Sequence, residues 1–218
     1  IYGATGFTDL GMIAEQVSAT GASPLMIAGL VLAVLGICFK IAAFPMHFYA
    51  ADVYQGAATP VTAFLAFVPK TAGFAALILL LATVQPLPGL LVVLLSAIAI
   101  VTMTLGNVLA LLQQNVKRVL AYSSIAHSGY IMVGLIAGLA VEPDVLAGAA
   151  GGGGVMNNGI AAVLFYLVAY ASGTIGSFAI FGCVQRDGRE IESYDDIAGL
   201  RRRRPLLRSE EHTSELQS

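Results

Sequence analysis

The chain has 218 residues, 57% of them hydrophobic and 11% charged, with a formal net charge of −2 at pH 7 and a mean hydropathy of +0.83. A soluble domain of this length needs a far more polar surface, and a near-neutral balance gives no hold on nucleic acid or on a strongly charged partner. The composition is that of an integral membrane protein.

Asp, Glu, Lys and Arg are absent from residues 16–39, 71–116, 119–141 and 145–185. About 20 consecutive apolar residues span a hydrocarbon core of ~30 Å, so each run offers a spanning helix and the second offers two. A partial helix is expected to end at Tyr2, followed by an amphipathic or irregular linker over 7–23. The first full helix is expected over about 24–44, with Pro24 suited to its first turn and Pro45 to a break. The second is expected over 59–83, with Tyr54-Gln55-Gly56 as a turn before it. Gln85-Pro86-Leu87-Pro88 reads as a tight connection to a third helix ending near Leu112, and a fourth follows over about 115–139. Residues 151–154, all glycine, with Asn157 and Asn158, read as a loop before a fifth helix over about 159–184. The expected fold class is therefore all-α, a polytopic transmembrane helix bundle with a broken helix near Pro45.

Loop charges agree with that alternation. One side receives Asp9, Glu15, Glu142 and Asp144 and no basic residue; the other receives Lys117, Arg118, Arg186, Arg189 and the four arginines of 201–204. The positive-inside rule makes the second side cytoplasmic, with Lys117 and Arg118 as topology anchors. Gly134 with Gly138, and Ala169 with Gly173 and Ser177, form small-xxx-small series expected to pack helices closely.

Both ends look artificial. The chain opens at Ile1 rather than Met, and no basic stretch marks a signal peptide. Residues 208–218 read like one frame of a sequencing-adapter oligonucleotide. Residues 1–207 are thus taken as one partial transmembrane domain, and 208–218 as a non-native tail.

Lys40 and Lys70 lie inside apolar stretches, thirty residues apart about a midpoint at Gln55. In a helical hairpin each would sit about 15 Å from the turn, half of the ~30 Å core. A lysine at that depth costs roughly 2.5–3.5 kcal/mol and is a functional-site hypothesis by default. His127, ten residues after Lys117, reaches a similar depth on a third helix, among the hydroxyls of Tyr122, Ser123, Ser124 and Ser128. Titratable groups linked by water or hydroxyls are what a proton path across a bilayer needs, and two ammonium groups held close would titrate as a coupled pair. The competing readings are that Lys40 snorkels to the interface from the helix end and that His127 is a packing histidine. His47 and Asp52 flank the break at Pro45, where transporters often build ion sites, or else cap a helix end at the interface.

Cys38 and Cys183 are isolated in apolar segments, and no Cys-x-x-Cys pair, dinucleotide fingerprint, phosphate loop or His/acid cluster is present in the sequence. No cofactor or metal is expected on this chain.

The segment from Phe39 to Val61, reading Phe-Lys-Ile-Ala-Ala-Phe-Pro-Met-His-Phe-Tyr-Ala-Ala-Asp-Val-Tyr-Gln-Gly-Ala-Ala-Thr-Pro-Val, is followed by Ala66-Phe67-Val68-Pro69-Lys70. A second segment runs from Gln114 to Tyr130 as Gln-Asn-Val-Lys-Arg-Val-Leu-Ala-Tyr-Ser-Ser-Ile-Ala-His-Ser-Gly-Tyr. With these the chain resembles, over nearly all of 1–207, the antiporter-like subunits of proton-pumping NADH–quinone oxidoreductase (complex I). The wording from Asp52 to Ala57 favours subunit N over subunits L and M and over the multisubunit sodium–proton antiporters. The resemblance puts Lys40 on the lysine of the family's broken helix, Lys70 on its central lysine and His127 on a channel-lining position. It implies a bacterial inner-membrane translocase subunit, partnered by other membrane subunits and lipid, in a complex that uses NADH and quinone elsewhere. It also implies that the family's earlier glutamate precedes Ile1 and that its later lysine follows Arg204, so the fragment should not pump alone. The alternative is a cation–proton (Na+/H+) antiporter subunit of the same fold that needs no NADH. A purely structural scaffold is a third reading, against which the two lysines argue.

Overall fold

The computed structural model describes residues 1–140, 155–183, 185, 186, 189, 190 and 193. Its helices are α1 (Tyr2–Thr5), α2 (Leu10–Thr20), α3 (Pro24–Ile41), α4 (Phe48–Gly56), α5 (Thr59–Thr83), α6 (Gly89–Leu111), α7 (Val116–Ala140) and α8 (Val155–Cys183). Two-residue strands β1 (Gln185–Arg186) and β2 (Arg189–Glu190) pair antiparallel, and Ser193 bridges back to Asn115 just before α7. Five helices, α3 and α5 to α8, are long and apolar enough to cross a membrane. The architecture is all-α.

Local chemistry sets most of the boundaries. Asp9 and Ser23 cap α2 and α3 by accepting from the Met12 and Met26 amides at 3.0 and 3.3 Å. Pro24 and Pro60 occupy first turns, where a missing N–H costs nothing. Gly6 and Gly21 end α1 and α2 at φ 72 and 76.

Four sequence expectations are corrected. The first helix ends at Thr5 rather than at Tyr2, because Gly6 closes its turn at positive φ. The first spanning helix stops at Ile41, not Phe44, because Ala42 turns left-handed at φ 55. Tyr54-Gln55-Gly56 is the last turn of α4 rather than a loop, and the chain reverses at Ala57 and Ala58. Asn157 and Asn158 are helical, since asparagine costs a helix under about 1 kcal/mol and α8 recovers more by packing. The 7–23 linker takes its amphipathic form: Ile13 and Val17, one turn apart on α2, pack with Met26, Leu30 and Val84. Glu142, Asp144, residues 151–154, residues 201–204 and the 208–218 tail lie outside the described residues.

The main core joins α3, α5, α6, α7 and α8 through Val34, Phe74, Leu77, Leu95, Met132 and Leu167. Small residues let backbones touch. A Cβ on Gly106 of α6 would lie 2.7 Å from the Ala126 amide nitrogen of α7, and one on Gly138 of α7 would lie 2.7 Å from the Gly159 Cα of α8. Gly138 thus packs as expected. Gly173 does not: a Cβ there would meet nothing within 4 Å, because Ala169, Gly173 and Ser177 border a cavity instead.

Candidate functional site

The site begins where α3 ends. Breaking a helix frees backbone groups, which in an apolar setting must find partners. Three side chains supply them. The Tyr49 hydroxyl donates to the Phe39 carbonyl at 2.7 Å, the Ser128 hydroxyl donates to the Ile41 carbonyl at 2.8 Å, and the Phe44 amide donates to Thr102 Oγ1 at 3.0 Å. The 42–47 segment is thereby tied to α4, α6 and α7. Non-glycine residues rarely take positive φ, and at Ala42 these ties hold the conformation in place. His47, in the N-cap position of α4, makes no cap hydrogen bond, and its Nδ1 is buried with no hydrogen-bond partner among the described residues. Burial holds its imidazole below the ordinary pKa of 6.5.

Lys70 lies mid-way along α5, just after the internal Pro69, and is 4% exposed. Its Nζ donates to the Ser124 carbonyl and lies 2.6 Å from Ser124 Oγ on α7. That hydroxyl is a junction. Tyr170 of α8 donates to it at 2.7 Å, and the Tyr54 hydroxyl of α4 lies 3.3 Å away. Burial holds the Tyr54 phenol above its ordinary range, so it keeps its proton. The Lys70 nitrogen also sits 4.9 Å from the Tyr170 ring centroid, close enough for a cation–π attraction. Four helices, α4, α5, α7 and α8, therefore converge on the neighbourhood of one amine.

A cavity of about 380 Å³ opens beside this junction between α7 and α8, lined by Ser123, Ser124, His127, Tyr166, Thr174 and Ser177 among others. His127 Nδ1 lies 2.6 Å from the Tyr166 hydroxyl, and its ring packs 5.0 Å from that of Tyr170. Hydroxyls and one imidazole thus line a space large enough for several waters.

Lys70 and His127, which the sequence put on separate helices at one depth, meet around Tyr170. Lys40 stands apart. It is exposed in the last turn of α3, and a Cβ on Gly73 would touch its Cγ at 3.4 Å, so its stem runs along α5 one turn from Lys70. Asp52 caps no helix: it pairs with Arg118 at 2.6 Å, both partners partly exposed, beside Gln55. Lys117 is buried rather than a solvated anchor, and donates to the Ala57 carbonyl at the end of α4 at 3.1 Å.

Tyr54, Tyr166 and Tyr170 were not singled out by sequence reasoning. Tyr166 and Tyr170 carried a signal, two phenols at i and i+4 on one face of an otherwise apolar helix. Tyr54 carried none, because its face of α4 depends on the break. No group of three or more His, Cys, Asp and Glu side chains suited to a metal gathers among the described residues.

Residues 1–144 match the family model described as NADH:quinone oxidoreductase/Mrp antiporter, TM. NADH-quinone oxidoreductase subunit N of Herminiimonas arsenicoxydans is 41% identical over 210 residues, covering 94% of this chain and 40% of that protein. The structure of respiratory complex I from Thermus thermophilus superposes with a TM-score of 0.70 at 34% identity, over 94% of this chain and 39% of that one. The Mrp complex from Dietzia shares the fold, with a TM-score of 0.65 at 19% identity over 83% of this chain and 30% of that chain. The chain spans about 40% of the length of the curated relative that it matches. With the spanning helices and the buried lysine between them, this match over two-thirds of the chain places it: it is a multi-pass integral membrane chain belonging to the NADH:quinone oxidoreductase/Mrp antiporter transmembrane family.

Proposed function

We propose that this chain is part of a subunit N that carries protons through the membrane arm of an NADH–quinone oxidoreductase in a bacterial inner membrane. NADH and quinone react in other subunits, and the neighbours are other membrane subunits and lipid. The observation that carries the reading is Lys70. An ammonium 4% exposed in mid-helix costs several kcal/mol, and a chain that only had to pack would place leucine there. Its partners are the carbonyl and hydroxyl of Ser124, and no carboxylate is bonded to it among the described residues. With no fixed countercharge, the amine can exchange its proton.

In this reading Lys70 is the central proton carrier. His127 and Tyr166 hold the proton on the cavity side, and Lys40, whose stem lies against α5 one turn away, exchanges with Lys70 across the end of α3. A charge arriving on Lys40 raises the cost of a charge on Lys70, which drives the proton onward. The relatives' name supports NADH–quinone chemistry in the whole complex, whereas the likeness to the Mrp complex is one of fold.

The test is Lys70→Met in the full-length protein, assayed in inside-out vesicles for NADH oxidation and acid uptake together. Loss of both with the complex assembled is the expected result. Unchanged rates of both would end the reading.

A further inference from the structure

Ser124 poses a hydrogen-counting problem. A hydroxyl has one hydrogen to donate and two lone pairs to accept with. Three groups surround this one: Lys70 Nζ at 2.6 Å, the Tyr170 hydroxyl at 2.7 Å and the Tyr54 hydroxyl at 3.3 Å. Tyr54 is buried, and Ser124 is the one hydrogen-bond partner of its hydroxyl among the described residues, so its proton has one place to go. Tyr170 has a second choice. It borders the cavity, where water can accept its hydrogen.

When Lys70 is a neutral amine, the nitrogen lone pair accepts the Ser124 hydrogen. Both tyrosines then donate to Ser124, and its capacity is full. When Lys70 is an ammonium, Nζ takes one Ser124 lone pair as a donor and Tyr54 keeps the other. The Ser124 hydrogen must then point to Tyr170, and the Tyr170 hydrogen to the cavity. No heavy atom has to move between the two arrangements.

The two states differ by a concerted hop. Starting from the amine, Ser124 passes its hydrogen to Nζ, Tyr170 passes its hydrogen to Ser124, and a proton from the cavity replaces the one Tyr170 gave. Three O–H bonds break at Ser124, Tyr170 and the donor on the cavity side; one N–H and two O–H bonds form. One proton has left the cavity and one has reached Lys70, and the hydrogens stand as the ammonium arrangement demands.

We propose that Tyr170 and Ser124 form a proton wire from the α7–α8 cavity to Lys70, with Tyr54 as the positioning residue that keeps one Ser124 lone pair occupied and so aims its hydrogen along the wire. The inference rests on Lys70 being a proton carrier. It adds the route by which the cavity reaches that lysine, and it gives the face of α8 bordered by Ala169, Gly173 and Ser177 a role as the wall of the feeding cavity rather than as a packing seam.

The test uses the full-length protein in its assembled complex, with NADH-driven proton uptake by inside-out vesicles as the readout. Tyr170→Phe and Ser124→Ala remove the hydroxyls with little change of shape. Each should cut proton uptake by roughly 100-fold or more, the scale of a lost positioned proton-transfer group. Ser124→Thr should keep most of the uptake, which packing does not predict because threonine is the larger residue in a buried site. If Tyr170→Phe fails to assemble, the Ser124 pair decides alone. Full uptake by Ser124→Ala while Lys70→Met stays inactive would overturn the wire and leave Lys70 as a carrier fed by another route. Full uptake by Lys70→Met as well would overturn the carrier reading, and the wire with it.

Discussion

Ser128 of α7 donates its hydroxyl to the carbonyl oxygen of Ile41 at 2.8 Å, and the same oxygen atom of Ser128 lies 3.3 Å from the Ser124 carbonyl that receives Lys70. One side chain therefore joins the end of the broken helix to the lysine's acceptor. A displacement of the end of α3 would therefore pull on the helix turn whose carbonyl holds the Lys70 amine.

Removing the ties of the break should loosen it measurably. Ser128→Ala frees the Ile41 carbonyl, and Thr102→Val, which keeps the side-chain shape, frees the Phe44 amide. A buried backbone group left unpaired costs about 1–3 kcal/mol. Each variant should lower the unfolding midpoint of the purified full-length protein in detergent. An unchanged midpoint for both would mean that water reaches the break and replaces the hydroxyls.

The α6–α7 contact should be intolerant of volume. A Cβ on Gly106 would stand 2.7 Å from the Ala126 nitrogen and 2.9 Å from its Cα, and backbone atoms cannot swing aside. Gly106→Leu should therefore force the helices apart, at ~1–3 kcal/mol or more, and reduce the assembled complex seen on native gels. Gly173→Leu, on the open cavity wall where nothing lies within 4 Å, should assemble normally.

Stability should depend on pH through His47. Burial holds its pKa below 6.5 when folded, whereas the unfolded chain has the ordinary value. The unfolded state then binds more protons in the window just below 6.5, so stability is complete above it and is lost as pH falls through the folded pKa. His47→Phe, which preserves the tilted ring contact with Phe44, should flatten the melting midpoint between about pH 5 and 7. An identical pH dependence in variant and parent would show that the imidazole is already hydrated.

The spanning helices were legible because charge-free runs and prolines follow from local chemistry. Lys70 was legible for the same reason, since a cation within an apolar run needs no partner to be conspicuous. Lys40 was legible as a cation near a helix end, either relaying or snorkelling; its exposed position one residue before the end of α3 was set by Ala42, whose positive φ stops the helix at Ile41. The small-residue series show the same limit. Gly134–Gly138 and Ala169–Gly173–Ser177 have the same spacing, yet the first seats α8 and the second borders open space.

The sequence by itself determined that this chain crosses a membrane, roughly where each helix starts, and that Lys70 and His127 sit within apolar helices. Those properties reside in single segments, where propensity and transfer free energy act on each residue alone. Only the tertiary structure decided that Tyr54, Ser124 and Tyr170 meet at Lys70. They lie on α4, α7 and α8, up to 116 positions apart in the chain, and the two phenols reach the Ser124 hydroxyl only because close glycine contacts and the tied break set three helices in register.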